Sequence, residues 1–263
     1  MPNTIRDIAR RRDLLVQLVR KEIKLRYKRS VLGVFWSLLH PLLMMGIFTL
    51  VFSRFPRLSG TPVPYYVFFM TGYLPWVFFS TSISNSHTSI LVNASLVKQV
   101  YFPRQLLPLA SCLSNLMHFA IAFGMWLVFV LFTYARFSPA LLLIPVALAI
   151  QFTLLVGVAL VLSAMNVFFR DVGQILEVLI TFLFYLTPVF YTYAIFPPKD
   201  AWIVGALSLN PMAQLVMLYR GALLQGFEVT PFMVAYPALF AAAVLGLGHV
   251  VFLRASRDFA KEL

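Results

Sequence analysis

Apolar positions along the chain gather into long unbroken runs, and six of these come up to the roughly 20 residues that a helix needs to cross the ~30 Å apolar core of a bilayer. They occupy residues 31–53, 65–84, 105–133, 139–168, 174–193 and 231–253. Prolines inside the runs (Pro41, Pro75, Pro108, Pro145 and Pro188) suit membrane helices, because neighbouring helices re-satisfy the carbonyls that they free. The pattern predicts an all-α polytopic membrane protein: six transmembrane helices in one domain over residues 1–263, with both termini on the same side. No repeat at solenoid periods is visible.

The polar stretches refine this plan. Within the first thirty residues, Leu15, Leu18, Val19, Ile23 and Tyr27 recur at helical spacing, while Arg20, Lys21, Lys24 and Lys28 lie elsewhere around the wheel. This predicts an amphipathic N-terminal helix lying in the membrane interface. Residues 93–104 (NASLVKQVYFPR) predict a short cytoplasmic helix of about eight residues, capped by Asn93 and closed by Pro103. Asp171 is placed to cap the fifth span, with Gln174 at its third position as in a capping box.

Residues 201–224 (AWIVGALSLNPMAQLVMLYRGALL) form two apolar pieces broken at Asn210 and Pro211, each too short to cross. Counted as one span, they would put the basic C-terminus outside. They therefore predict a re-entrant helix-break-helix hairpin that dips in from the external face, with Asn210 capping its second helix and Pro211 opening it. The alternative is an amphipathic surface loop.

Composition agrees with the pattern: 61% hydrophobic residues, 11% charged residues and a mean hydropathy of +0.87 do not describe a soluble globule. A net charge of +12 and a pI near 10.1 would suggest nucleic acid in a soluble chain. Here the charge abuts apolar spans, so it is read as topology and attraction to anionic lipid head groups, with no nucleic acid as partner. Ten of the 21 Lys and Arg residues precede residue 31. With Lys98, Arg104, Arg170, Arg254, Arg257 and Lys261, sixteen fall on segments assigned inside, against five outside (Arg54, Arg57, Arg136, Lys199 and Arg220). That asymmetry predicts cytoplasmic N- and C-termini, the latter as a tail over residues 254–263. Cys112 is the lone cysteine, so no internal disulfide is expected. The first apolar run begins late and lacks a small-residue cleavage site, so no cleavable signal is expected.

Catalytic chemistry is sparse. No GxxxxGK[ST] phosphate loop, HExxH or Cys-His cluster occurs, and His40, His87, His118 and His249 stand far apart, so neither nucleotide binding by that route nor a metal site is predicted. Of nine acidic residues only Glu177 lies within a span, where it either pairs with Arg170 or couples transport to protons. Aromatic residues near span ends (Trp36, Tyr65, Tyr66, Tyr134, Tyr191, Tyr193 and Trp202) read either as an interfacial belt or as a lining that stacks on sugar rings.

Four stretches carry a family resemblance. RYKRSVLGVFWSLLHPLL (residues 26–43) resembles the entrance to the first span of ABC-2 type permeases that export cell-surface polysaccharides. VKQVYFPRQLLPL (97–109) is similar to their cytoplasmic coupling segment, FYLTPVFY (184–191) to their fifth span, and NPMAQLVMLYRGALL (210–224) to their external gate hairpin. The resemblance, nearest to O-antigen and teichoic-acid exporters, implies a homodimeric, non-enzymatic permease of a bacterial cytoplasmic (inner) membrane. It implies two copies of a separate ATP-binding cassette subunit, which would hold ATP and Mg, so that this chain carries no cofactor. The implied cargo is a polyprenyl-pyrophosphate-linked glycan. It further implies ATPase contact by Arg10, Arg11, Arg12, Asn93, Lys98, Tyr101 and Arg104. Lipid-linked pyrophosphate would enter beside Arg20, Lys24, Arg26, Lys28 and Arg29, and an external gate would comprise Trp202, Asn210, Pro211, Met212, Tyr219 and Arg220. Two other classes stay open: an exporter of the same architecture for a drug or another lipid, and a secondary transporter or membrane lipid enzyme. The second class would need buried charges or paired carboxylates that the spans lack.

Overall fold

The computed structural model of the chain describes residues 11–28, 33–52, 63–100, 102–134 and 139–263. Among these, every regular element is helical. The N-terminal helix α1 (Arg12–Tyr27) is followed by α2 (Trp36–Phe52) and α3 (Tyr65–Ser86), then by two short helices, α4 (Ser89–Val92) and α5 (Ala94–Gln99). The long helices α6 (Leu106–Thr133) and α7 (Leu143–Phe168) lead to α8 (Val172–Leu186). A bent pair, α9 (Ala201–Ser208) and α10 (Pro211–Leu223), precedes α11 (Phe232–Ala255) and the terminal turn α12 (Phe259–Glu262).

Four helical stretches among the described residues are long and apolar enough to cross a bilayer: Tyr65–Ser86, Leu106–Thr133, Pro139–Phe168 and Phe232–Ala255. The pair at Pro198–Ser208 and Pro211–Leu223, bent by 102°, would make a fifth if counted as one span. Two of the six expected spans are thus shorter than their apolar runs. Gly33 takes a positive φ of 50°, a conformation that only glycine adopts cheaply, so the regular helix of the first run begins at Trp36. In the fifth run, Thr187 precedes Pro188 and is extended (φ −97°, ψ 129°), which ends α8 after 15 residues.

α3 is the central post. Val67, Phe68, Phe69, Leu74 and Phe78 are buried against α6, α7 and α10 in the larger of two apolar clusters. α7 and α11 cross in backbone contact: a Cβ on Gly157 would lie 2.7 Å from Leu245 N, and one on Gly248 would lie 2.4 Å from Gly157 O. Only glycine permits that approach, the usual device for tight packing of membrane helices, where no hydrophobic drive from water operates.

A second cluster occupies the end of the bundle that carries α1 and the C-terminus. There Leu18 of α1 is buried with Ile90, Val97, Leu106, Phe252 and Phe259. The apolar stripe of α1 therefore faces protein, with Leu14, Leu15 and Val19 also packed against this cluster, and its cations start from exposed positions.

Two expected caps do not form. Asp171 sits in the right-handed helical region (φ −77°, ψ −8°), not the extended one that swings a side chain back onto the first turn, and makes no capping bond. Asn93 directs its side chain elsewhere, and α5 runs for six residues instead of about eight because Val100 is already extended. Nor does Glu177 pair with Arg170: both are exposed, and no ion pair joins them.

Candidate functional site

Polar side chains concentrate at the two ends of the bundle. At one end, the bend between α9 and α10 is built by its own sequence. Asn210 is extended (φ −75°, ψ 116°), its Oδ1 accepts from Met212 N at 2.9 Å, and Pro211, which has no N–H to satisfy, supplies the first helical residue. Asn210 Nδ2 also donates to Thr187 Oγ1 at 2.9 Å, and Gln214 Nε2 donates to Ser208 O at 2.7 Å. These bonds tie α10 to the residues following α8 and to α9.

One turn before its end, α10 carries Arg220, whose side chain has no exposed surface. Its guanidinium donates to the carbonyls of Pro188 and Val189, each at 2.5 Å, and lies 3.7 Å from the centroid of the Phe68 ring. The ring face and the carbonyl dipoles supply negative potential that no carboxylate supplies here. The contact requires Gly72 on α3, where a Cβ would lie 2.6 Å from Arg220 Nη2. Next to it, Tyr219 donates to Gln151 Oε1 at 3.1 Å, and Gln151 Nε2 donates to Pro75 O at 2.8 Å; neither side chain is exposed. Of the residues assigned to an external gate, Met212, Tyr219 and Arg220 are core, Asn210 and Pro211 form the bend, and Trp202 alone is largely exposed. Arg220, counted from sequence among the outside cations, is an interior one.

Several end-of-span tyrosines are likewise drawn into packing. Tyr65 donates to Phe190 O at 3.0 Å, Tyr191 donates to Tyr185 O at 2.9 Å, and the Tyr66 and Tyr134 hydroxyls meet. Trp36 and Trp202 keep exposed faces.

At the opposite end, cations do the linking. Lys21 Nζ donates to Asn93 Oδ1 at 2.6 Å, and Asn93 Nδ2 to Ser89 O at 2.8 Å, so Asn93 joins α1 to the α4–α5 segment. Arg26 Nη2 donates to Asn115 Oδ1 at 2.7 Å, an oxygen that also accepts from Asn85 Nδ2 at 3.0 Å. Arg104 donates to Ser256 O and stands 5.8 Å from the Phe259 ring, which holds the C-terminal segment against the start of α6.

The residues expected to contact an ATPase thus divide. Arg11, Arg12 and Lys98 are exposed, Asn93 is buried, and Arg104 is committed inside the chain; Arg10 and Tyr101 lie outside the described residues. The residues expected to meet lipid-linked pyrophosphate divide as well. Arg20, Lys24 and Lys28 line one shallow open groove along α1, Arg26 turns to a separate cavity, and Arg29 lies outside the described residues.

Sequence reasoning passed over Gln151 and Asn115, polar residues inside long apolar runs. That position is itself the signal, since a polar side chain at membrane depth needs a partner. No group of three or more His, Cys, Asp or Glu positioned to hold a metal ion occurs among the described residues.

Comparison with known proteins gives one consistent answer. Residues 13–224 match the ABC-2 type transporter family. The chain is 35% identical to the O-antigen export system permease protein RfbA of Klebsiella pneumoniae over 218 residues, 81% of each protein. It is 34% identical to the protein of that name from Myxococcus xanthus over 221 residues, 84% of each. It is also 24% identical to the polysialic acid transport protein KpsM of Escherichia coli over 238 residues, 88% of this chain and 89% of the relative.

Proposed function

Because this chain belongs to the ABC-2 type transporter family, we propose that it is the membrane permease subunit of an ATP-driven exporter that moves a cell-surface polysaccharide of the O-antigen kind across the cytoplasmic membrane. The carrying observation is agreement between the family match, which reaches from α1 to the end of α10, and relatives of more than 30% identity named for O-antigen export. In this reading the chain is a transport subunit, and hydrolysis belongs to two copies of a separate ATP-binding subunit. They dock on the end carrying α1, α5 and the C-terminus, which faces the cytoplasm. α2 and α8, although short, complete six spans, and α9 with α10 forms a hairpin at the external mouth.

Support for a second copy of the chain comes from α8. Gln174, Glu177, Thr181 and Tyr185 are all exposed and recur at helical spacing, forming a polar stripe along an otherwise apolar helix. A carboxylate facing lipid costs several kcal/mol. Two copies set with these stripes inward would enclose a polar path for a hydroxyl-rich polymer. The cargo carries a polyprenyl pyrophosphate, and the cationic groove of α1 suits its approach, since each basic residue near an anionic surface contributes on the order of 1 kcal/mol.

The test is genetic and biochemical together. Deleting the gene should remove the polysaccharide from the surface while lipid-linked glycan accumulates inside. The purified chain should show no ATP hydrolysis, and the complex with its ATP-binding subunit should show it. Undiminished surface polysaccharide in the deletion strain would exclude the polysaccharide as cargo.

A further inference from the structure

In α2, α3, α6, α7, α8, α10 and α11, the residue types Asp, Glu, Lys and Arg occur at three places: Glu177 of α8, the buried Arg220 of α10, and Arg254 in the last turn of α11. Glu177 is the one that is neither enclosed nor at a helix end. Its side chain is exposed, and the ion pairs among the described residues, Arg12–Asp13 and Lys261–Asp258, do not involve it. Arg170 stands one heptad earlier, about 10 Å nearer the start of the helix. His40, the exposed imidazole of α2, lines a separate cavity beside Arg26. The stripe that Glu177 shares with Gln174, Thr181 and Tyr185 otherwise offers neutral groups: an amide, a hydroxyl and a phenol. Thr181 Oγ1 is turned back onto Glu177 O at 2.9 Å, which leaves the carboxylate as the sole charge along about 16 Å of helix.

Two copies set with their stripes inward place two such carboxylates on one narrow path. A sugar chain passing between them comes within one Debye length of each, ~8 Å, and low-dielectric walls screen the interaction less than bulk water does. The hydroxyls of a neutral glycan can donate to a carboxylate, in charge-assisted bonds that form and break as the chain moves. A sugar carboxylate or phosphate in the same place has no proton to donate and is repelled. That repulsion recurs at every acidic repeat of a polymer, whereas a single pyrophosphate at the end of the chain meets it once. We propose that Glu177 is a specificity-determining residue, which makes the path between two copies selective for neutral glycans over polyanionic ones. This assignment rests on the export reading, which supplies the path, and adds the charge class of its cargo.

The first measurement reads the potential at the stripe and needs neither ATP nor a partner subunit. Thr181→Cys, one turn from Glu177, is introduced into the full-length chain in nanodiscs, with the wild-type chain as blank because its Cys112 is buried. Cationic and anionic methanethiosulfonates of matched size are compared, each rate divided by its rate with free mercaptoethanol. The cationic reagent should be favoured at least about tenfold, Glu177→Gln should bring the ratio to within about twofold of unity, and Glu177→Lys should invert it. Glu177 is exposed and Gln has its shape, so the fold is kept, and gel filtration of each variant checks this. Thr181→Cys that reacts with neither reagent, or a ratio that Glu177→Gln leaves unchanged, overturns the assignment. The second measurement is export in cells that carry the chain, its ATP-binding subunit and one of two polyprenyl-linked polymers of equal length, built of neutral hexoses or with a hexuronic acid in every repeat. The wild type should export the neutral polymer at least about fivefold faster, and Glu177→Gln should narrow the gap to about twofold by raising the acidic one. Equal export of both polymers by the wild type overturns the selection. Export of neither, with the reagent preference intact, supports the anionic stripe and counts against the export reading alone.

Discussion

At the end of the bundle built around α10, Arg220, Tyr219 and Gln151 have no exposed surface and are bonded only to other parts of the chain. At the end carrying α1, Lys21 and Arg26 reach Asn93 and Asn115 from exposed positions. Both ends use long-range polar links between helices, yet the energetic consequences differ. A buried donor or acceptor that loses its partner costs its full desolvation, about 1–3 kcal/mol and more for a charge, while an exposed one is re-solvated. The α10 end is thus locked. The α1 end is an apolar patch overlaid by cationic links that water can replace.

Removing the lock should give the largest effect. Arg220→Ala leaves the carbonyls of Pro188 and Val189 without their donor and opens a cavity against Phe68, so a loss on the order of 3 kcal/mol is expected. The measurement is the thermal midpoint in detergent, followed by fluorescence-detected gel filtration. Arg220→Met refills the volume but not the hydrogen bonds, and should recover less than half of the loss. Wild-type stability for Arg220→Ala would erase the distinction between the two ends.

The crossing of α7 and α11 spans both ends and should come next. Gly248→Val places a side chain where Gly157 O already sits, forcing the backbones apart at about 1–3 kcal/mol. Because α11 runs from the α10 end down to Phe252, which shares a cluster with Phe259 of α12, both ends should loosen together. Hydrogen exchange should then rise at α12 as well as at the top of α11. A rise confined to one end would mean that the ends are independent.

How much of this was readable from residues alone follows from the range of the interactions. The bend at Asn210–Pro211 is local: one side chain, one imino acid and the next turn decide it, so it was legible. The short α8 was half legible, since Pro188 announces a break that counting apolar residues through to Tyr193 overrode. Arg220 was not legible as an interior cation, because its burial depends on Gly72 and Phe68, about 150 residues away in sequence, and a lone Arg at an apparent loop end reads as exposed. The lipid-facing reading of α1 shows the same limit from the other side. Its amphipathic period is real, but periodicity cannot say whether protein or membrane covers the apolar stripe, and Leu18 is buried in one apolar cluster with Ile90 and Leu106. The cap expected of Asn93 failed for a related reason, since a distant Lys21 and the nearby Ser89 carbonyl compete for a side chain whose local options looked sufficient.

Within the locked end, Asn210→Ala offers an intermediate effect. It deletes the cap on Met212 N and the link to Thr187, and a helix cap alone is worth about 1 kcal/mol. Asn210→Asp keeps the acceptor for Met212 N and loses the amide donor to Thr187, so it should fall between Asn210→Ala and the wild type. Equal losses for Asp and Ala would place the energy in the Thr187 link and not in the cap.

The smallest stability effect, and the one that most sharpens the contrast, is expected at Lys21. Lys21→Met removes the donor to Asn93 Oδ1 from an exposed position, and water can take its place, so the thermal midpoint should change by the equivalent of less than about 1 kcal/mol. The local consequence should be larger than the global one. α5 is six residues long, too short to be stable alone, and Asn93 at its start is the residue through which α1 holds it. Hydrogen exchange at the amides of Ala94–Gln99 should therefore accelerate in Lys21→Met, while exchange in α10 stays unchanged. On the proposed docking of an ATP-binding subunit at α5, the same variant should lower export per ATP hydrolysed with little loss of assembly, since Val97 still anchors α5 in the apolar patch. A fall in stability as large as that of Arg220→Ala would show that the α1 end is locked as firmly as the other. Unchanged exchange in α5 would show that the apolar patch alone holds it.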